Sequence, residues 1–328
     1  MNTSGVTKDG PVGGRPEREA HVTPGRRRKR RDEPEFTSYY GRAILNEPTW
    51  AATDIAGYFF LGGLAGTSSV LAAGAELTGR PALARGAKVG AVGAISLSLV
   101  ALVHDLGRPA RFLNMLRVFK VTSPMSVGVW VLSAYAPAAG VAALADVTGR
   151  ARLAGVAGTA GAAVLGPAVA SYTAVLLCST AIPAWHDGHR EMPFVFVSSA
   201  AAAAAGLGLL VAPVGEAGPA RRLALLGAAG ELIASRRLER RLGMVAEPYR
   251  AGRSGTLMKV AKTLTTAGAV GGAVAGRRSR PAAAVAGAAL LAASACTRFG
   301  IFEAGRASAR DPKYTVVPQR ERRDARGS

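Results

Sequence analysis

The stretch LVHDLGRPARFLNMLRVFKVTSPMSVG, residues Leu102–Gly128, joins two apolar runs of a 328-residue chain. It contains one histidine, one aspartate, three arginines, one lysine and two prolines, in a sequence made mostly of small and apolar residues. Gly107 suits the position after a helix end and Pro109 blocks further helix, so the stretch predicts a helix that ends close to Asp105. The charges that follow then lie in a loop between two apolar helices.

The composition of the whole chain favours a membrane protein. Hydrophobic residues make up 49% of it and charged residues only 19%, whereas soluble domains carry about 25% charged residues. A net charge of +20 could indicate nucleic-acid binding. However, the basic residues form short clusters between apolar runs, without the interleaved aromatic residues of a nucleic-acid surface. The sequence therefore excludes nucleic acid as a partner and indicates membrane lipids.

Eight apolar runs are long enough to be membrane spans, for which about 20 residues are needed. They cover residues 52–77, 87–106, 124–146, 153–179, 193–214, 221–236, 258–276 and 281–302. The sixth run is short and contains Glu231. Small residues recur at helix-packing spacing, which favours close approach of helices within the lipid. The chain is thus predicted to be an all-α integral membrane protein with eight transmembrane helices.

Loop charges predict the domain limits and the orientation. Residues 1–50 form a predicted disordered basic tail that includes Arg26–Arg31, residues 51–303 the membrane domain, and residues 304–328 a basic C-terminal tail. With eight spans, both termini and the loops after spans two, four and six share one side, and that side carries most of the arginines. Because basic loops stay cytoplasmic, we expect a multi-pass protein of the cell membrane with both termini in the cytoplasm.

Few ionisable side chains fall at predicted membrane depth, where they are costly and commonly functional. They are Asp54, His104, Asp105 and Glu231. Asp54 and Tyr58 are four residues apart and therefore share one helix face; the simpler interpretation is an interfacial aspartate beside a tyrosine of an aromatic belt. For His104 the simpler interpretation is a hydrogen bond to a loop carbonyl. For Glu231 we favour a structural ion pair with flanking arginines over a proton relay.

Metal centres are not expected within this chain. Its two cysteines lie in apolar runs without a CxxC partner, so no iron–sulfur cluster or zinc site is predicted. Of four histidines only His104 could lie near membrane depth, which is too few for the axial ligands of two haems.

Four segments together resemble the NrfD/PsrC family, the membrane subunits of polysulfide-reductase-like molybdoenzyme complexes. They are HDLGRPARFLNMLRVFKVTSPMSVG (104–128), EPTWAATDIAGYFFLGGLAGTSSVLAA (47–73), YTAVLLCSTAIPAW (172–185) and ERRLGMVAEPYRAG (239–252). The resemblance implies eight helices arranged as two four-helix bundles. It also implies electron exchange with menaquinone or another quinone. The implied partners are a ferredoxin-like iron–sulfur subunit and a molybdopterin or tungstopterin catalytic subunit.

The resemblance also implies a quinone site. In the family the quinone head group lies near the start of span one and meets a tyrosine at the start of a later helix. Matching the motifs places these contacts at Asp54, Tyr58 and Tyr172. Some relatives carry asparagine and histidine in place of Asp54 and Tyr58. Asp54, or the His104–Asp105 pair, would then relay protons, because histidine changes charge near neutral pH.

Two other functions remain open. The ionisable residues could line the path of a proton-translocating or transport protein, although the matched pair of discontinuous helices typical of transporters is not evident. The chain could also be a passive membrane anchor without a quinone site. The substrate of the catalytic partner leaves no trace here; formate, polysulfide and thiosulfate all remain open, and formate dehydrogenase is our preferred expectation.

Overall fold

The computed structural model describes residues 6–7, 10–11, 44–106, 108 and 110–327. Most of the predicted tail 1–50, including Arg26–Arg31, lies outside these residues, as do Gly107 and Pro109. Within the predicted tail, strand β1 (Val6–Thr7) pairs with strand β2 (Gly10–Pro11) in an antiparallel register.

The rest of the described chain is helical. The helices are α1 (Ala52–Leu77), α2 (Pro81–Asp105), α3 (Arg111–Met115), α4 (Pro124–Thr148), α5 (Arg152–Cys178), α6 (Pro183–His186), α7 (Met192–Val211), α8 (Gly218–Leu242), α9 (Gly252–Val274), α10 (Arg280–Arg310) and α11 (Lys313–Gly327). Two 3₁₀ helices, Gly243–Tyr249 and Ala275–Arg277, follow α8 and α9.

Local sequence explains where several helices begin and end. Proline lies in the first turn of α2 and α4, where its missing N–H costs nothing. The Ser123 hydroxyl accepts a hydrogen bond from the Ser126 N–H and so caps α4. Gly149 ends α4 with a φ of 68°, a left-handed conformation that glycine adopts without strain.

Six helices are long and apolar enough to cross a membrane: α1, α2, α4, α5, α7 and α10. Apart from the short β1–β2 pair, the described chain is therefore built from helices, as predicted for a multi-pass membrane protein. The predicted span 221–236 falls within α8, and the span 258–276 lies in α9 and the start of the 3₁₀ helix after it. Helices α8 and α9 are not among these six. Helix α8 is charged at both ends and contains Glu231, and α9 carries Lys259 and Lys262, so both are less apolar.

Some helix limits differ from those predicted. Helix α2 begins at Pro81 rather than residue 87, because Pro81 can start a helix and Glu216 caps its first turn through the backbone N–H groups of Ala82 and Leu83. Helix α10 continues to Arg310 rather than ending at residue 302, and Lys313–Gly327 of the predicted basic tail form α11.

Close helix contacts depend on glycine. Helix α1 packs on α2 and α5, and α4 packs on α5. Helix α7 packs on α8 and α10, α9 packs on α10, and α1 also contacts α7. A Cβ atom at Gly66 would overlap the Gly166 carbonyl where α1 meets α5. The predicted use of small residues for helix packing is confirmed at this crossing.

The helix ends define two faces. On the Asp54 face, the start of α1 meets the end of α2, and Trp50 stacks on Trp185 of α6 with ring centroids 6.3 Å apart. On the opposite face, which we call the Glu216 face, Glu216 caps α2 and Arg85 binds Asp146. The loops that follow α2, α5 and α8 all lie on the Asp54 face, in agreement with the predicted grouping of basic loops.

Candidate functional site

The site on the Asp54 face is centred on a carboxylate–imidazole pair. Asp54 lies in the first turn of α1 and His104 in the last turn of α2. The His104 Nδ1 atom is 2.8 Å from the Asp54 Oδ2 atom. The His104 side chain is 78% exposed and that of Asp54 is 21% exposed. The pair can thus exchange a proton with the surroundings through the imidazole while the carboxylate orients the ring.

One expectation for His104 is wrong, because His104 binds the Asp54 carboxylate rather than a loop carbonyl. Its neighbour Asp105 has a different partner. The Asp105 Oδ1 atom accepts a 3.4 Å hydrogen bond from the Ala51 N–H, at the start of α1. Consecutive residues of a helix point about 100° apart. His104 and Asp105 therefore contact different groups around the start of α1, the Asp54 carboxylate and the Ala51 N–H.

Two buried tyrosines lie behind this pair. The rings of Tyr58 (α1) and Tyr172 (α5) pack edge to face, with centroids 6.4 Å apart and an interplanar angle of 71°. Tyr58 is buried in the helix core, so its interpretation as an aromatic-belt residue is wrong. Tyr172 lies near the C-terminal end of α5 rather than at the start of a helix. Helix α5 therefore runs toward the Asp54 face, and Tyr172 lies near the end of the helix on that side.

The Tyr172 hydroxyl has an unusual environment. It is buried and has no hydrogen-bond partner among the residues that the structure describes. A buried tyrosine hydroxyl commonly finds a partner, because leaving it unpaired costs about 1–3 kcal/mol. An unpaired buried hydroxyl, on a ring that packs against Tyr58 one helix turn from Asp54, is a donor that suits a ligand with hydrogen-bonding oxygens.

Gly128, the last residue of the opening stretch, makes room for Tyr172. A Cβ atom at this position of α4 would overlap the Tyr172 ring. The stretch Leu102–Gly128 thus contributes to the site at both ends, through His104 at its start and Gly128 at its finish. The contact between Gly128 and Tyr172 was not predicted, because the two residues are far apart in the sequence.

A second polar cluster lies inside the protein around Glu231 of α8. The Glu231 Oε1 atom accepts a 2.6 Å hydrogen bond from the Thr297 hydroxyl, and its Oε2 atom accepts a 3.3 Å bond from Thr265. Within the described chain Glu231 forms no ion pair within 4.0 Å, so the expected pairing with flanking arginines is wrong. The carboxylate points into the helix core, whereas those arginines lie near the helix ends.

Arg298 of α10 is a buried charge that the sequence reasoning missed. Its guanidinium donates a 2.7 Å hydrogen bond to the Phe196 carbonyl and lies 3.8 Å from the centroid of the Phe196 ring. It also interacts electrostatically with Glu231. Its Nε and Nη1 atoms have no partner in the described part of the chain. A single arginine inside an apolar run was the available signal.

Lys88 of α2 is a second buried charge that was not predicted. Like Arg298, it is a single basic residue within a predicted span. Its buried ammonium binds Glu76, and it lies 3.4 Å from the Asp146 carboxylate. This cluster lies near the Glu216 face, away from His104 and Asp54. It joins the end of α1 to α2 and α4.

Ion pairs also tie the segment before α1 to the end of α10. The Glu47 carboxylate binds Arg306 at 2.6 Å and Arg310 at 2.8 Å. The Arg310 guanidinium, helped by Arg306, holds the pKa of Glu47 below its ordinary value. In the same way, the Lys313 ammonium lowers the pKa of Glu247, which lies in the 3₁₀ helix after α8.

The structure shows no group of three or more histidine, cysteine, aspartate or glutamate side chains, among its described residues, that could hold a metal ion.

The predicted site residues fall into three places. Asp54 and His104 pair with each other, Tyr58 packs on Tyr172 just behind them, and Asp105 binds the chain before α1.

Comparison with known proteins identifies the family. The family model described as polysulphide reductase, NrfD matches residues 45–218, more than half of the chain. No curated protein matches the chain. The match includes α1 to α7 and every predicted site residue. The chain is therefore a multi-pass membrane protein that belongs to the NrfD family.

Proposed function

We propose that this chain is the quinone-interacting membrane subunit of a molybdopterin and iron–sulfur oxidoreductase complex. It would anchor the complex and pass electrons between a ferredoxin-like iron–sulfur subunit and menaquinone or another quinone. Membership of the NrfD family supports this role, because the family generally assembles with iron–sulfur and molybdoenzyme subunits in membrane complexes. The proposal includes eight spans in two bundles, which the contacts among α1, α2, α4 and α5 and among α7 to α10 support.

The observation that carries the proposal is the unpaired, buried hydroxyl of Tyr172, whose ring packs on Tyr58, one helix turn from Asp54. A quinone ring has two carbonyl oxygens that accept hydrogen bonds, and the chain offers donors of that kind here. Tyr172 would donate to one oxygen, with Tyr58 packed against its ring. The unpaired Tyr172 donor supports a quinone head group as the ligand.

When bound, the quinone would supply two-electron redox chemistry that also takes up or releases two protons. The residues of this chain would handle those protons. Asp54 orients His104 through the 2.8 Å contact, so that the imidazole can accept or give a proton at Nε2. Because His104 is mostly exposed, that proton can exchange with water at the Asp54 face. Asp105 would contribute by fixing the start of α1.

The Asp54 face would also receive the electron-transfer partner. The loop after α2 carries Arg108, Arg111, Arg117 and Lys120. A cationic surface speeds and orients docking of an acidic partner. The loop charges support a cytoplasmic location for this face. With Cys178 and Cys296 replaced, an Arg117→Cys variant should resist an impermeant maleimide added to intact cells, and labelling from outside would overturn the orientation.

Substitutions at the site test the proposed quinone binding. Tyr172→Phe removes the unpaired hydroxyl, and we expect an affinity about tenfold lower for a menaquinone analogue titrated against the purified full-length chain. Asp54→Ala should also slow quinone-linked turnover of the assembled complex. Tyr135→Phe is the matched control, because Tyr135 is a buried tyrosine already bonded to Ser69. Unchanged affinity and turnover in the Tyr172 and Asp54 variants would identify a passive anchor instead.

A second candidate function is proton translocation, which the buried Glu231 carboxylate favours. Its hydroxyl partners Thr265 and Thr297 could pass a proton between α9 and α10. Glu231→Gln keeps the shape of the side chain but cannot take up a proton. In vesicles that contain the complex, this variant should lose proton movement and keep quinone reduction if Glu231 is a relay. If proton movement is unchanged, Glu231 is structural.

A further inference from the structure

The Glu216 face holds a cleft that no function above uses. It has a volume of about 790 Å³ and lies among the ends of α1, α2, α4 and α5. Along α5 its lining extends from Arg152 to Val164, which corresponds to a length of about 18 Å at 1.5 Å per residue. The cleft therefore extends from the helix ends toward the middle of the predicted membrane.

The inner wall of the cleft is apolar and open. Leu77 is 89% exposed and Val164 is 78% exposed, and Val156 and Ala160 lie between them along the wall. Exposed apolar side chains at this depth face hydrocarbon in a membrane protein. A groove with this length and chemistry suits an extended acyl chain.

The mouth of the cleft is cationic. Arg80, Arg150 and Arg152 line it, together with Lys88 at its floor. The two carboxylates of the lining are already paired, since Glu76 binds Lys88 and Asp146 binds Arg85 and Lys88. Among the described residues Arg150 and Arg152 form no ion pair. The mouth therefore keeps an excess of positive charge that no carboxylate of the described chain neutralises.

The backbone at the mouth adds to this preference for an anion. Arg152 is the first residue of α5, and no side chain caps the helix start. The preceding Ala151 has a φ of 53°, so the tight turn from Gly149 brings Arg150 and Arg152 to the same helix end. Free N–H groups at a helix start attract negative charge.

We propose that this cleft binds an anionic phospholipid of the leaflet on the Glu216 face. Arg80, Arg150 and Arg152 bind its phosphate, and one acyl chain lies along α5 as far as Val164. Basic pockets between membrane helices recognise lipid head groups in this way. A second copy of the chain is a poor occupant, because it would bring the same arginines to the cationic mouth.

Two variants of the full-length chain test the two halves of the site. Arg80→Gln, Arg150→Gln and Arg152→Gln together remove the cationic mouth. Ala160→Trp places a large ring in the apolar groove at an exposed position. The matched control combines Arg222→Gln, Arg277→Gln and Arg278→Gln, which remove the same charge from exposed positions of the same face outside the cleft.

Each protein is purified in detergent, checked for unchanged thermal unfolding, and titrated with phosphatidylglycerol while bound lipid is counted by native mass spectrometry. We expect one tightly held phosphatidylglycerol in the original protein and the control. The triple variant should bind it about a hundredfold more weakly, and Ala160→Trp should also lose it. If only the triple variant loses the lipid, the mouth binds a phosphate group without an acyl chain, and the lipid site is wrong. Equal binding in all four proteins overturns it as well.

Discussion

Two carboxylates of this membrane protein, Asp54 and Glu231, have opposite surroundings. Asp54 lies at the start of α1 and contacts an imidazole that is mostly exposed. Glu231 lies inside the helix core, with two threonine hydroxyls as its hydrogen-bond partners. The imidazole of the Asp54–His104 pair is exposed, whereas the surroundings of Glu231 are closed. Exposure, rather than the presence of a carboxylate, distinguishes the two environments.

Removing the buried cation near Glu231 should have the largest effect. Arg298→Ala deletes the bond to the Phe196 carbonyl and leaves Glu231 without a buried positive charge. We expect the free energy of unfolding to fall by about 3–5 kcal/mol, measured by denaturant titration in detergent. The exposed Arg253→Ala should change it by less than about 0.5 kcal/mol. Similar small effects in both variants would show that Arg298 and Glu231 do not form a packed core that stabilises the fold.

Gly128→Ala should have an intermediate effect on the open site. The added methyl group overlaps the Tyr172 ring and forces it to move. We expect a loss of about 1–3 kcal/mol in unfolding free energy and weaker binding of a menaquinone analogue. Gly140→Ala on the same helix is the control, because no atom lies within 4 Å of a Cβ placed there. Normal binding by Gly128→Ala would separate Tyr172 from the quinone site.

Breaking the Asp54–His104 pair should cost little stability. The imidazole is largely exposed, and exposed pairs contribute about 0–1 kcal/mol. Asp54→Asn should therefore leave thermal unfolding nearly unchanged while quinone-linked turnover falls. A large loss of stability would contradict a functional role for this pair and make it structural.

The smallest effect concerns pH and the Glu47 ion pairs. Arg310 and Arg306 lower the pKa of Glu47 in the folded protein. The contribution of these ion pairs to the free energy of unfolding is therefore complete above the ordinary pKa of 4.5. It is lost as the pH falls below 4.5 and through the lowered folded pKa. Thermal unfolding between about pH 6 and pH 3 should show a small acid-dependent loss that Glu47→Gln abolishes. An identical pH dependence in the variant would remove Glu47 as its source.

Much of the helical framework could be predicted from local sequence. Apolar runs near 52–77, 124–146 and 153–179 coincide with α1, α4 and α5, since such runs need lipid or a core on every side. The family was also evident from sequence motifs, of which 47–73, 104–128 and 172–185 lie within the range that the family model matches and 239–252 lies beyond it. Six of the eight predicted spans correspond to helices that are apolar enough to cross a membrane. Helices α8 and α9, which contain the other two, are more polar.

The contacts of the site could not be predicted in this way. His104 and Asp54 are 50 residues apart, and the choice of Asp54 over Asp105 depends on how α1 is rotated against α2. Likewise, the sequence reveals neither the burial of Arg298 beside Phe196 nor the overlap between Gly128 and Tyr172. Hydropathy, prolines and glycines act within a single helix or at its ends. The sequence alone therefore specifies where helices form and which loops are basic. Side-chain partners depend on the rotation and spacing of packed helices, which only the folded arrangement fixes.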